Sequence, residues 1–263
     1  METPLTPEAS LVVLLRALKL PGFVAHWSDL AIEAERAGSS FGRYLHQLAE
    51  LELRERRERR VRDALKQSKL PLEKTLGSLK IDRLPAAVRR TLPRLCAGDF
   101  VERGDNVLVF GLPGRGKSHV TCAIGHELVR NGYRVLFTST VLLVQRLLVA
   151  KRDLELERDL RALDRYDVVI LDDLGYVQQD RAEMEVLFTF LAERYERKSV
   201  MITSNLVFSQ WDKIFKDPMT TAAAIDRLVH HSVILELTGV SYRNEEAKTR
   251  LDPNPTPETE PAT

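Results

Sequence analysis

The residues best suited to chemistry form one run, Gly111-Leu-Pro-Gly114-Arg-Gly116-Lys117-Ser118. It matches G-x-x-x-x-G-K-[ST], a P-loop, with an apolar run (Asn106–Phe110) before it and a helical pattern after it. Gly111, Gly114 and Gly116 let backbone N–H groups approach phosphate oxygens with no Cβ in the way. The helix that follows turns its positive end toward those oxygens. Lys117 is placed to reach β and γ phosphates, and Ser118 to put its hydroxyl on Mg²⁺. The ligands implied are ATP and Mg²⁺.

A second constellation lies downstream. Val168-Val-Ile-Leu-Asp172-Asp173 is an apolar strand that ends in two carboxylates. After a P-loop this reads as the Walker B pattern, with Asp172 holding Mg²⁺ and Asp173 polarising the attacking water. Asp is one methylene shorter than the Glu common at the second place, so slow, regulated turnover is expected. Thr203-Ser-Asn205 ends the next strand, and Asn205 can position that water. Arg227 is either a partner of Asp226 or Glu236 or a cation given to a neighbouring subunit's ATP. Arg243, in Ser-Tyr-Arg, is a candidate sensor of the nucleotide in its own subunit. His230-His231 resemble a metal pair, but adjacent helical residues point about 100° apart, which argues against one shared ion.

These residues need a scaffold. From Asn106 onward, short β-branched runs (107–110, 134–138, 168–171, 200–204, 233–237) alternate with helical segments (117–131, 141–151, 181–197, 220–231). That alternation predicts a parallel sheet with helices on both faces. Residues 8–69 read as helical, with breaks at Pro21-Gly22 and Gly38. Ser39-Ser40 is placed to cap a third helix over 41–68, which carries Arg-Glu-Arg-Arg-Glu-Arg-Arg at 54–60. The expected organisation is an all-helical N-terminal domain (1–69) and a linker with a short helix (70–99). An ATPase domain (100–250) and a disordered Pro/Thr/Glu-rich tail (251–263) follow.

Composition sets the outer bounds. The chain has 263 residues and a net charge of +1, and 44% of its residues are hydrophobic. That suffices for a packed core and excludes wholesale disorder. Residues 1–100 hold 18 Lys/Arg against 13 Asp/Glu, so the basic character is concentrated in the first part. Two cysteines cannot make a disulfide framework, and no apolar run is long enough for a bilayer. A cytoplasmic, non-membrane protein is expected.

Taken together, the stretches NVLVFGLPGRGKSH, DVVILDDLGY, FLAERYERKSVMITSNLVFSQWDKIF, IDRLVHHSVILELTG and SYR resemble the IstB-type transposition helper ATPases. These are relatives of DnaC and DnaA within the AAA+ class, and the resemblance spans about residues 41–248. It implies an α/β P-loop AAA+ sheet of order 5-1-4-3-2, with a small N-terminal all-helical domain. It further implies a homo-oligomer with ATP at subunit interfaces, assembled on double-stranded DNA and assisting an IstA-type transposase. Carried over by position, Lys117 and Ser118 are Walker A, Asp172 and Asp173 Walker B, and Asn205 is sensor 1. Arg227 is then the arginine finger and Arg243 sensor 2. An extra helix in the 140–166 segment would line the bore of the oligomer, offering Lys151, Arg152, Arg158 and Arg161 to a phosphate backbone. The competing reading of that segment is a solvated amphipathic face, because Asp153, Glu155, Glu157 and Asp159 offset the cations. The 43–69 helix, with nine cations against five acids, is a second candidate contact for DNA or transposase. A DnaC-like helicase loader and a metabolic P-loop kinase are the alternative functions.

Overall fold

The computed structural model describes residues 6–175, 180–206, 211 and 228–238. The chain divides into two compact units, residues 1–63 and 64–263.

The first unit is helical. It comprises α1 (Pro7–Ala17), α2 (Pro21–Arg36) and most of α3 (Phe41–Ser68). Thr6 caps α1 by accepting the Ala9 N–H, and Ser40 accepts the Arg43 N–H at the start of α3. The charged middle of α3 is sorted by face. Glu52 is buried and accepts the Gly22 N–H at 2.6 Å, a charged partner for an orphan donor at the N-terminus of α2. The approach is close enough that a Cβ at Gly22 would meet Glu52 Oε2 at 2.8 Å. Glu55 meets His26 at 2.8 Å, and Arg56 pairs with Glu52 at 2.9 Å. So part of the basic run serves its own helix.

The second unit holds a five-stranded sheet. Its strands are β1 (Asn106–Phe110), β2 (Val135–Ser139), β3 (Val168–Leu174), β4 (Ser199–Ser204) and β5 (Ser232–Glu236). All pairings are parallel, in the order β2-β3-β4-β1-β5. From the other edge this is the expected 5-1-4-3-2. Alternate residues of each strand feed opposite cores. Val107, Val109 and Ile170 pack with α4 (Ala86–Ala97) and α6 (Lys117–Arg130); Leu108, Phe110 and Leu171 pack on the other side with α7 (Thr140–Arg152) and α9 (Arg181–Arg194). Both faces are covered, which explains strands that are apolar without alternation. Two short helices complete the unit, α5 (Asp99–Glu102) and α8 (Leu156–Leu163).

Three differences from the sequence reading matter. The 70–99 stretch, expected as a linker, puts Leu70, Leu79 and Leu84 into the core beside α4. Strand β3 runs to Leu174 rather than Leu171, so both acids belong to the strand. Helix α9 stops at Arg194, because Glu196 turns into the left-handed region at φ 56°. The predicted 220–231 helix falls largely, and the 251–263 tail wholly, outside the described residues. Among the described residues, no helix is long and apolar enough to cross a membrane.

Candidate functional site

Strand β1 and helix α6 are separated by six residues, 111–116, which gather at the C-terminal edge of the sheet. Gly114 and Gly116 adopt φ of 80° and 83°, values open to glycine at no steric cost. A Cβ at Gly111 would lie 2.7 Å from the Leu237 carbonyl just after β5, so this corner of the loop excludes any side chain. Lys117 begins α6 and is buried. Its ammonium donates to the main-chain oxygens of Gly111 at 2.7 Å and Leu112 at 3.2 Å. The loop thus holds its own cation above the helix N-terminus, where a bound anion would compete for it.

The two carboxylates arrive from β3. Asp172 Oδ1 accepts from the Thr203 hydroxyl at 2.7 Å, and the same hydroxyl accepts the Asp173 N–H at 2.8 Å. Asp173 sits at φ 59°, a left-handed conformation rare for a non-glycine residue. Asp173, Asn205, Lys117 and Ser118 line one cavity of about 470 Å³ with the phosphate loop. Asp172 stands one residue behind, half-buried.

The residues present fit a nucleoside triphosphate and its Mg²⁺. Three features carry the fit: a cradle that a Cβ would fill, a buried ammonium held by replaceable carbonyls, and two carboxylates near the end of β3 with a hydroxyl in the first turn of α6. Lys117 and the loop N–H groups can hold the phosphates, and Ser118 and Asp172 the ion. Arg227 and Arg243 lie outside the described residues.

Part of the cavity wall escaped the sequence reading. Glu73, Lys74, Ser78, Leu79 and Leu84, from the supposed linker, line it opposite the loop. His119 anchors this strap, with Nε2 3.1 Å from both the Thr75 carbonyl and the Ser78 hydroxyl. His126, two turns on, meets the Pro71 carbonyl at 2.9 Å. The available signal was the set Leu70, Leu79, Leu84, apolar but with no period. Thr203, the hinge between both acids, read only as part of a strand. Cys122 is a core residue as expected. Burial, chiefly, pushes its thiol up to about 12.

The four cations proposed for DNA are each paired with an acid. Lys151 meets Glu185 at 2.7 Å and Arg152 meets Asp153 at 2.9 Å. Arg158 meets Glu155 at 2.7 Å and Arg161 meets Glu157 at 2.8 Å. Such exposed pairs exchange partners readily. The histidine pair behaves differently from the sequence argument. His231 has left the helix, so its ring packs edge-on against His230 at 4.2 Å. Donor atoms of both and of Glu196 lie within 4.8 Å of one another. The His231–Glu196 pair at 3.3 Å ties β5's start to the turn after α9.

Comparison with known proteins agrees with this geometry. Residues 13–250 match the family described as IstB-like ATP binding protein. A Sinorhizobium fredii protein named as an insertion sequence ATP-binding protein is 46% identical over 241 residues, 91% of this chain and 81% of that one. A Pseudomonas aeruginosa protein named as the insertion sequence IS21 ATP-binding protein is 36% identical over 249 residues, 94% of each chain. Among solved structures, the DnaC helicase loader superposes with a TM-score of 0.51 at 20% identity, covering 58% of this chain and 89% of that one. This last likeness is one of fold alone, the five-stranded sheet and the helices that cover it. A family match over nearly the whole sequence, joined to two relatives of that closeness, places the molecule: the chain belongs to the IstB-like ATP binding protein family.

Proposed function

We propose that this chain is an ATP-dependent transposition helper. In this reading it oligomerises on duplex DNA, assists a partner transposase in target selection and strand transfer, and comes apart on ATP hydrolysis. The observation that carries the reading is the meeting of the phosphate loop, Asp173 and Asn205 in one cavity of a family whose relatives carry insertion-sequence names. The fold likeness to a helicase loader bears on architecture alone and does not move the choice.

The roles follow from position. The loop N–H groups, the α6 N-terminus and Lys117 bind and orient the triphosphate. Ser118 and Asp172 hold Mg²⁺, which when bound neutralises phosphate charge. Asp173 takes the proton of the attacking water, and Asn205 orients that water. Arg227 serves as the arginine finger to a neighbouring subunit, and Arg243 as sensor 2. Lys151, Arg152, Arg158 and Arg161 trade their acidic partners for DNA phosphates. A nucleotide that binds the assembled state more tightly than the dispersed one shifts the balance between them.

Electron microscopy of the protein with long duplex DNA, in ATP, ADP or no nucleotide, tests this. Ordered assemblies on DNA are expected with ATP and not with ADP. A monomer in the presence of a saturating non-hydrolysable triphosphate and duplex sinks the proposal.

A further inference from the structure

We propose that Thr203 is the positioning residue that sets both acidic groups of the site, and that its hydroxyl rather than its bulk is what matters. The inference rests on the Mg²⁺–ATP reading of the cavity. Its basis is the register of β3 against β4. Pairing runs in step from Val168 opposite Ser199 to Leu171 opposite Ile202, then resumes with Leu174 opposite Ser204. Between those points two residues of β3, Asp172 and Asp173, face one of β4, Thr203. This is a β-bulge, and a bulge leaves ladder groups without their usual partners.

Thr203 replaces what the bulge removes. Its hydroxyl accepts the Asp173 N–H at 2.8 Å and donates its single hydrogen to Asp172 Oδ1 at 2.7 Å. A hydroxyl is the smallest group that can do both at once. Thr203 is fully buried. Without the hydroxyl, the Asp173 N–H would lose this partner, and Asp173 would lose the bond that holds it at φ 59°. The Asp172 carbonyl is separately fixed by the Thr140 hydroxyl at 3.1 Å. What Thr203 controls is therefore the Asp172 carboxylate and the Asp173 backbone. One oxygen of Asp172 is committed to Thr203, which leaves the other for an ion's shell. Asp173, held left-handed, faces the cavity beside Lys117 and Asn205. Asn205 is two residues beyond Thr203, just past the end of β4.

The test uses the full chain and the variants Thr203→Val and Thr203→Ser. Affinity for a fluorescent ATP analogue is measured in EDTA and in Mg²⁺, alongside turnover and the melting temperature of the nucleotide-free protein. Thr203→Val is expected to keep its EDTA affinity. It should lose about 10- to 100-fold of the gain that Mg²⁺ confers, with kcat falling and KM for Mg²⁺–ATP rising in step with that loss. Thr203→Ser should recover to within a few-fold of wild type. If Thr203→Val does not fold, Thr203→Ala against Thr203→Ser makes the same comparison, since those two differ only by the hydroxyl. Wild-type Mg²⁺ dependence and turnover in the hydroxyl-free variant overturn the role of Thr203. So does a serine variant as defective as its hydroxyl-free counterpart. Failure of wild type itself to bind nucleotide in either condition is a separate result, which removes the reading of the cavity and this inference with it.

Discussion

Lys117 Nζ lies 2.7 Å from the carbonyl oxygen of Gly111, the first residue of its own loop. The lysine closes the loop on itself, with a second carbonyl, that of Leu112, at 3.2 Å. A triphosphate would take over this ammonium, exchanging neutral acceptors for anionic ones. Charge-assisted hydrogen bonds of that kind contribute about 2–3 kcal/mol. Lys117→Ala is therefore expected to weaken ATP binding by about 30- to 150-fold. The nucleotide-free protein should still fold, because Gly114 and Gly116 shape the loop through their backbone. Calorimetric titration with ATP checks the affinity, and a melting curve checks the fold. An unchanged affinity would mean that the loop does not bind phosphate through this lysine.

Much of that site was legible before any coordinates. The P-loop and the paired acids were readable because their chemistry demands fixed residues at fixed spacing. The five strands were readable because doubly covered strands need uninterrupted apolar runs. The strap from Leu70 to Leu84 was not, because Leu70, Leu79 and Leu84 follow no helical or strand period. Packing on α6, together with His119 and His126, decides its path. The bulge at Asp172–Asp173 was hidden for a related reason. It is a property of pairing with Thr203, thirty residues away, and the local pattern of VVILDD is the same with or without it.

The helix pair α7 and α8 offers a direct test of DNA contact. Arg161 pairs with Glu157 and Arg158 with Glu155, all on the surface. If these arginines meet phosphates, removing their acidic partners should strengthen DNA binding. Glu155→Gln with Glu157→Gln is expected to raise affinity for duplex. Replacing Lys151, Arg152, Arg158 and Arg161 by Ala should lower it and reduce the slope of log K against log salt by roughly 1 per cation that touches DNA. Fluorescence anisotropy across a salt series reads both. If neither set changes affinity or slope, the segment is only a solvated face.

Asp167 and Lys198 give the second unit a pH-dependent clasp at the N-terminal ends of β3 and β4. Lys198 Nζ is 2.6 Å from Asp167 Oδ1, and the Arg134 N–H donates to Oδ2 at 2.9 Å. Burial by itself would raise this carboxyl, but the two hydrogen bonds and the neighbouring charges hold it below the ordinary range. A depressed folded pKa means stability that is present above the unfolded value of about 3.9 and lost as pH falls through the folded one. Asp167→Asn keeps an acceptor for the Arg134 N–H and removes the charge. Wild type should therefore melt above the variant from neutral pH down to about pH 5, and the gap should close below about pH 4. A gap independent of pH would show that the charge contributes nothing.

At the same end of the sheet, Arg194 is a buried cation whose hydrogen-bond acceptors, among the described residues, are all backbone oxygens. Its guanidinium donates to the carbonyls of Leu163 (3.2 Å), Tyr166 (2.9 Å), Asp167 (3.2 Å) and Ser199 (3.0 Å). Burial, partly offset by Asp164 and Asp167, pulls it down to about 10, so it stays charged at neutral pH. The residue joins the last turn of α9 to the end of α8 and to the starts of β3 and β4. Arg194→Met matches the length but removes all four bonds; the Leu163 and Asp167 carbonyls keep the N–H groups of Tyr166 and Ser199, while the Tyr166 and Ser199 carbonyls lose their guanidinium partner. A loss of about 3–5 kcal/mol is expected, which lowers the melting temperature by roughly 6–20 °C for a chain of this size. Arg194→Lys restores the charge with one compact donor and should fall between the two. Because the phosphate loop follows β1 at the opposite edge of the sheet, ATP affinity measured well below the transition should be unchanged in Arg194→Met. A melting temperature within 2 °C of wild type would mean that the carbonyls find water or other N–H donors instead, and that the Arg194 bonds are dispensable.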